Sequence, residues 1–364
     1  MEFIDLKSQQ KRIQKQIQER INTVLTNGQY IMGPEVFELE ERLAKYTGSK
    51  HCISNANGTD ALMLALMAIG IKPGDEVITT PFSFFATSEV ISFFGAVPVF
   101  VDIDRETYNI DASLIEEKIT KKTKAIIPVS LYGQCADYEA IEAIAAKHGI
   151  VTIEDAAQSF GATYKGKKSC NLTTISCTSF FPSKPLGCYG DGGACFTNDD
   201  KIAEKIKVLR THGQARRYYH TDIGMNARLD TLQAAILLAK MEIFDDEIQL
   251  RHKVAARYNK LLEGIAPIQR ILPENTSAYA QYTIEVDNRD SFIEKMKTLG
   301  VPTAVHYPIP LHLQPVYAGQ YQKGAYPKSE LAASRVVSLP MHPYLDEETQ
   351  DEVVKAVKVA LGQK

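Results

Sequence analysis

Short apolar runs of β character alternate with helical patterns through the first two hundred residues. That alternation limits the fold more than any other feature of the chain. "DEVITTPFSFF", "AVPVFVDID", "KAIIPVSLYG" and "IVTIEDAAQSF" are rich in β-branched and aromatic residues, and helical segments such as Tyr138 to His148 separate several of them. Parallel strands need a crossover, usually a helix, so this order predicts an α/β fold built on a large mixed, mostly parallel sheet. "GACFTND" reads as a further strand, and Asp200 to Arg210 as the helix after it. Two helices come first. "SQQKRIQKQIQERINTVL" sets Ile13, Ile17, Ile21, Val24 and Leu25 at helical spacing, and "GPEVFELEERLAKYTG" opens on Pro34 and stops at Gly48. A long charged helix is predicted from about Thr231 to Tyr258, with a domain boundary inside it near residue 245. Residues 1–245 would form the large domain. Residues 246–364 would form a small α+β domain from strand "AQYTIEV", helix "RDSFIEKMKTLG", the Pro- and His-rich "VPTAVHYPIPLHLQP" and a closing helix from Glu347. With 364 residues, 45% of them hydrophobic, the chain can fill both cores.

Composition removes several function classes. The formal net charge is −3 and basic clusters such as Arg216-Arg217 are short, so no nucleic-acid partner is expected. The six cysteines form no C-x-x-C pair, which argues against a zinc site and leaves no metal expected; they read as reduced thiols packed in the core. The longest apolar run, Ala61 to Ile71, is shorter than the roughly 20 residues that cross a bilayer. The start "MEFIDLKSQQKRIQKQ" carries no apolar signal segment, so a cytoplasmic protein is expected.

Some residues could do chemistry. "IVTIEDAA" ends on Glu154 and Asp155, and ligands of open α/β sheets sit at strand carboxyl ends; an acid there could equally cap the next turn. "NANGTDALMLAL" puts Asn57, Gly58 and Thr59 at a helix start, where free N–H groups suit a phosphate or simply a cap. "GCYGDGG" does not fit G-x-G-x-x-G, and its Asp191-Gly192 pair reads as a hairpin turn. Lys184 stands in "TSFFPSKPLGCYGDGGACFTND", among aromatics, prolines and glycines. A loop lysine with its ammonium in water is the ordinary case. A desolvated lysine has a lowered pKa, and its neutral amine condenses with carbonyls. Pro182 and Pro185 would restrict its direction, and Ser179 could donate to a phosphate. An acid at a strand end, a helix-start cradle, a serine and a desolvated lysine together suggest pyridoxal 5'-phosphate.

"NGTDAL", "PFSFFAT", "EDAAQSFGA", the Lys184 segment, "RLDTLQAA" and "HYPIPLH" jointly resemble the DegT/DnrJ/EryC1/StrS sugar aminotransferases over almost the full length. The resemblance implies a fold-type I pyridoxal phosphate enzyme with Lys184 as the catalytic, cofactor-bearing lysine. It implies Asp155 on the pyridine nitrogen, Gln158 at the ring hydroxyl side and Phe82 near the ring. Gly58, Thr59 and Ser179 would hold the phosphate, and Asn226 would reach the phosphate of a neighbouring subunit in a homodimer with shared sites. Tyr30, Arg228, His306 and Tyr307 would meet the acceptor, as donors toward a uronate and a diphosphate. L-glutamate would supply the amine. The acceptor would be a UDP-linked 3-keto sugar, UDP-2-acetamido-2-deoxy-3-oxo-glucuronate, on a route to O-antigen sugars. A 4-keto nucleotide sugar is the alternative substrate, and a non-catalytic cofactor-binding regulator the alternative class. Many relatives carry histidine at the position of Phe181. Relatives with histidine in place of the lysine are dehydratases, an outcome that Lys184 argues against.

Overall fold

The β-rich runs come together in one seven-stranded sheet in the computed structural model, which describes residues 1–363. Helices α1 (Leu6–Arg12), α2 (Gln14–Asn27) and α3 (Pro34–Thr47) precede it. Strands β1 (His51–Asn55), β2 (Glu76–Thr79), β3 (Val97–Phe100), β4 (Thr123–Ile127) and β5 (Val151–Asp155) follow. They are interleaved with α4 (Gly58–Ala68), α5 (Ala86–Phe93) and α6 (Tyr138–His148). A short ribbon, β6 (Thr163–Tyr164) with β7 (Lys167–Lys168), leads to β8 (Ile175–Ser179) and β9 (Gly193–Thr197). The sheet order is β1-β9-β8-β5-β4-β2-β3, with β9 alone running against its neighbours. Successive side chains alternate faces. Ile78 and Ile126 pack with Leu39, Ile141 and Leu237 on one side. Val77, Ala125 and Ile127 pack with Leu64, Val90 and Ile206 on the other. Both faces are covered, which explains why these strands read as continuous apolar runs.

After β9 come α7 (Asp200–Leu209), a ribbon of β10 (Gln214–Arg216) and β11 (Tyr219–His220), then α8 (Thr231–Met241) and α9 (Phe244–Leu261). A separate core forms where Val254 and Tyr258 of α9 meet β12 (Tyr282–Glu285), α10 (Arg289–Thr298), β13 (Val336–Leu339) and α12 (Glu347–Ala360). Helix α11 (Pro327–Arg335) runs directly into β13. Strands β12 and β13 are antiparallel, with Thr283 opposite Ser338.

Three sequence expectations need correction. The long helix from Thr231 to Tyr258 is two helices, broken at Glu242–Ile243 by tight turn bonds from Glu242 N to Ala239 O and Ile243 N to Lys240 O. The break lets Phe244 pack on Phe160, and Asp245, Asp246 and Glu247 open a new first turn suited to the helix dipole. The N-terminal helix is likewise divided at Ile13, and Leu25 lies on its exposed side. Asp191-Gly192 is no hairpin turn: β8 and β9 are joined by the whole loop 180–192.

Candidate active site

Strand alternation decides what the end of β5 offers. Asp155 faces a cavity of about 670 Å³ at the carboxyl ends of the strands, whereas Glu154 points to the other face. Glu154 is fully enclosed there by Ser169 Oγ at 2.7 Å, Ser176 Oγ at 2.8 Å and Cys170 N at 3.0 Å, and burial lifts its pKa to about 7. Asp155 accepts from Thr87 Oγ1 at 2.8 Å and from Ala157 N at 3.2 Å. Burial raises its pKa, while these two donors and the charge of Lys184 oppose the rise. Thr87 is in turn 3.1 Å from Ser83 Oγ, so a chain of hydroxyls from the start of α5 fixes the carboxylate.

Helix α4 starts at the same cavity. Asn57 caps it by accepting from Asp60 N at 2.8 Å, and Asn57, Gly58, Thr59 and Asp60 all line the space. A Cβ on Gly58 would lie 2.7 Å from Cβ of Ser179, the last residue of β8. Only glycine lets the helix start close on that strand end, which brings bare N–H groups and the Ser179 hydroxyl side by side.

The loop 180–192 carries Lys184 over this floor. Phe180 N donates to Gly192 O, Cys188 N to Phe180 O and Lys184 N to Phe181 O, at 2.7, 2.8 and 2.9 Å. A Cβ on Gly187 would lie 2.6 Å from the carbonyl oxygens of Phe181 and Pro182, so the loop folds onto itself only with glycine there. These bonds hold the loop that carries the lysine. Lys184 lines the cavity and is half-buried; desolvation lowers its pKa against the opposing pull of Asp155.

The far wall comes from distant sequence. Gln158 accepts from Tyr132 N at 2.9 Å and donates to the Tyr307 hydroxyl at 3.2 Å, so both ends of its amide are committed. His306 and Tyr307 line the cavity, and burial together with Lys184 pushes His306 down to about 4, which makes it neutral at pH 7. The structure adds lining residues that sequence reasoning did not single out: Phe84, Gln281, Asp60 and Asp191. "PFSFFAT" signals an aromatic, and the one that lines the cavity is Phe84 rather than Phe82. Phe82 is wholly buried in a cluster with Tyr108, Tyr132 and Val129, while Phe84 is 57% exposed and lines the cavity. Residues one position either side of Ser83 exchange roles because the chain turns there into α5. Tyr30, Asn226 and Arg228 also lie outside the cavity lining of their own chain. Asn226 is exposed, Arg228 is half-buried with its Nε unpartnered, and the backbone carbonyl of Tyr30 accepts from Thr231 N at 2.9 Å.

With this geometry in place, comparison with known proteins is informative. The profile of the DegT/DnrJ/EryC1/StrS aminotransferase family matches residues 11–358. The chain belongs to this family. This family member is 61% identical over 349 residues to the UDP-2-acetamido-2-deoxy-3-oxo-D-glucuronate aminotransferase of Pseudomonas aeruginosa, covering 95% of this chain and 96% of the relative. A DegT/DnrJ/EryC1/StrS aminotransferase from Brucella abortus superposes with a TM-score of 0.95 at 43% identity, over the full length of both chains. NtdA of Bacillus subtilis, solved with its cofactor PMP, gives 0.91 at 32% identity, covering 99% of this chain and 83% of that one. The expected α/β, fold-type I architecture is borne out, and the chain is an aminotransferase. Among the described residues, no helix is long and apolar enough to cross a membrane.

Proposed function

We propose that this chain transfers an amino group from L-glutamate to the 3-keto carbon of UDP-2-acetamido-2-deoxy-3-oxo-glucuronate, in the cytoplasm, on a route to O-antigen sugars. The observation that carries the reading is the 61% identity across nearly all of both chains to an enzyme named for that substrate. The reading is tested with UDP- and dTDP-linked keto sugars made in situ, with mass and isomer analysis of the product. The expected result is a 3-amino UDP-uronate; a 4-amino product assigns the other regiochemistry and overturns this one.

The cavity fits pyridoxal 5'-phosphate. A bare helix start beside Ser179 suits a phosphate, a fixed carboxylate suits a protonated ring nitrogen, and a half-buried lysine lines the same cavity. When bound, that group supplies an electron sink. Gly58, Thr59 and Ser179 would bind its phosphate, and Asp155 would hold the proton on its pyridine nitrogen. Gln158, fixed at both ends, orients the hydroxyl side, and Phe84 takes the ring-facing role expected of Phe82. The Lys184 amine would carry the cofactor between turnovers and would serve as the general base and acid that moves the substrate's Cα proton.

One cavity is short of cations. Among the described residues, Asp60, Asp155 and Asp191 line it against the single ammonium of Lys184, yet glutamate, a uronate, a diphosphate and a cofactor phosphate are all anions. That imbalance supports a homodimer in which Arg228, outside its own cavity, brings a cation to the partner's site, with Asn226 two residues before it. Arg228→Lys is expected to raise KM for the uronate sugar far more than for glutamate, because a planar fork matches a carboxylate and an ammonium does not. An equal effect on both half-reactions would make Arg228 an interface residue instead. Subunit mixing tests the sharing. Asn226→Asp weakens cofactor binding by repulsion, and Lys184→Ala cannot turn over. In a hybrid of the two, one site takes both defects and the other is intact. Random exchange makes about half the dimers hybrid, which returns roughly a quarter of wild-type activity. No recovery, with exchange confirmed by tagged chains, overturns the shared site.

A further inference from the structure

Two buried cysteines that play no part in transamination face each other across the sheet. Cys177 of β8 is directly opposite Cys195 of β9 in an antiparallel pair. Opposed residues of such a pair put their side chains on the same face. Phe180 N donates to Gly192 O at 2.7 Å, so residues 180 and 192 are a hydrogen-bonded pair. Hydrogen-bonded pairs alternate with non-hydrogen-bonded ones. Three positions back, Cys177 and Cys195 are therefore of the closer, non-hydrogen-bonded kind, whose Cα atoms are roughly 4.5 Å apart. A disulfide spans Cα separations of about 4.4–6.8 Å, so this backbone can take one without moving. The sulfurs converge too. Both thiols donate to one carbonyl, Ala61 O of α4, at 3.3 Å each. Among the described residues, no other two cysteines are paired across a ladder. Access comes from one side. Cys177 lines the cavity, while Cys195 is 0% exposed behind it. Asn55 Nδ2 donates to Cys195 Sγ at 3.5 Å, and such a donor favours negative charge on that sulfur. Burial raises the pKa of Cys177, so the resting pair is a dithiol and reacts slowly.

We propose that Cys177 and Cys195 are an oxidation site in the floor of the cavity, converted by peroxide to a disulfide when the cavity is empty and shielded when the cofactor fills it. Peroxide reaches Cys177 first. Its O–O bond breaks, one oxygen joins the sulfur as a sulfenic acid, and the other leaves as water. The Cys195 sulfur then attacks the Cys177 sulfur. The S–S bond forms, the S–O bond breaks, and a second water leaves. Two thiols are oxidised, one peroxide is reduced, and both thiol protons end in water. The shielding rests on the pyridoxal phosphate reading of the cavity; the pairing does not.

The test has two arms. In the first, the full-length protein is stripped of cofactor, exposed to hydrogen peroxide, then unfolded for thiol counting and peptide mapping. Free thiols should fall from six to four, with one cross-link joining the peptides that carry Cys177 and Cys195. Dithiothreitol should restore all six. Cys188→Ala removes a buried cysteine outside the pair and should still lose two thiols, whereas Cys195→Ala should form no disulfide. No cross-link, a cross-link between other cysteines, or oxidation of Cys177 that stops short of a disulfide overturns the proposal. The wild-type peptide map decides this without any variant. In the second arm, cofactor is present at about a hundred times its dissociation constant. About one cavity in a hundred is then empty, so cross-linking should slow about a hundredfold. An unchanged rate overturns the cavity as the route of oxidation. If the protein binds no pyridoxal phosphate at all, the proposed function fails instead, and the peroxide arm still decides the pair.

Discussion

Lys184→Ala is expected to abolish turnover while leaving the cofactor site standing. The remaining contacts do not depend on the lysine: the start of α4 closes on Ser179, and Asp155 is held by Thr87 and Ala157. What disappears is the only amine in the cavity lining among the described residues and, with it, the group that can carry a proton between two carbons. Wild-type protein should be yellow as purified, and borohydride should fix the cofactor to the peptide containing Lys184. Label on another lysine would assign the role elsewhere. Lys240 is the informative control. It too is buried, with its pKa lowered to about 8, but it lies over the ring of Tyr189 and outside the cavity. Desolvation alone therefore does not make a lysine catalytic.

Asp155→Asn is expected to keep the cofactor and to lose at least about a hundredfold in rate. An amide cannot hold a proton on the pyridine nitrogen, and losing a charge partner in a desolvated site is worth several kcal/mol, with each 1.4 kcal/mol about tenfold. Glu154 cannot substitute. It is on the opposite face of the same strand, tied to Ser169, Ser176 and Cys170. Single-turnover absorbance with glutamate checks the prediction, and a rate near wild type would refute the role. The same measurement on Thr87→Val should show a smaller loss, because that variant removes a hydrogen bond to the carboxylate and leaves its charge in place.

Local rules carried much of the fold. Val77 and Ile78, or Ala125 and Ile126, announce a strand buried on two faces by being apolar in succession, and Gly48 does stop α3 in a left-handed cap. The errors share one cause. The pattern from Thr231 to Tyr258 is helical throughout, and nothing within it says that Phe244 must turn to reach Phe160. Asp191-Gly192 has the chemistry of a tight turn, but residues 180–192 are held by bonds to each other and by Gly187, which a dipeptide rule does not see.

The site divides in the same way. The sequence by itself determined the chemistry on offer: an acid at a strand end, a glycine at a helix start, and a lysine in an apolar turn, each within a short segment whose local geometry fixes its direction. Only the tertiary structure decided which groups meet. It chose Phe84 over Phe82 and left Asn226 and Arg228 outside their own cavity. It placed His306 against Ser338, with the Thr283 hydroxyl beside them. Those contacts join residues far apart in the chain. Their distances follow from how the β12–β13 ladder and the sheet pack together, and that packing is a property of the whole fold rather than of any segment.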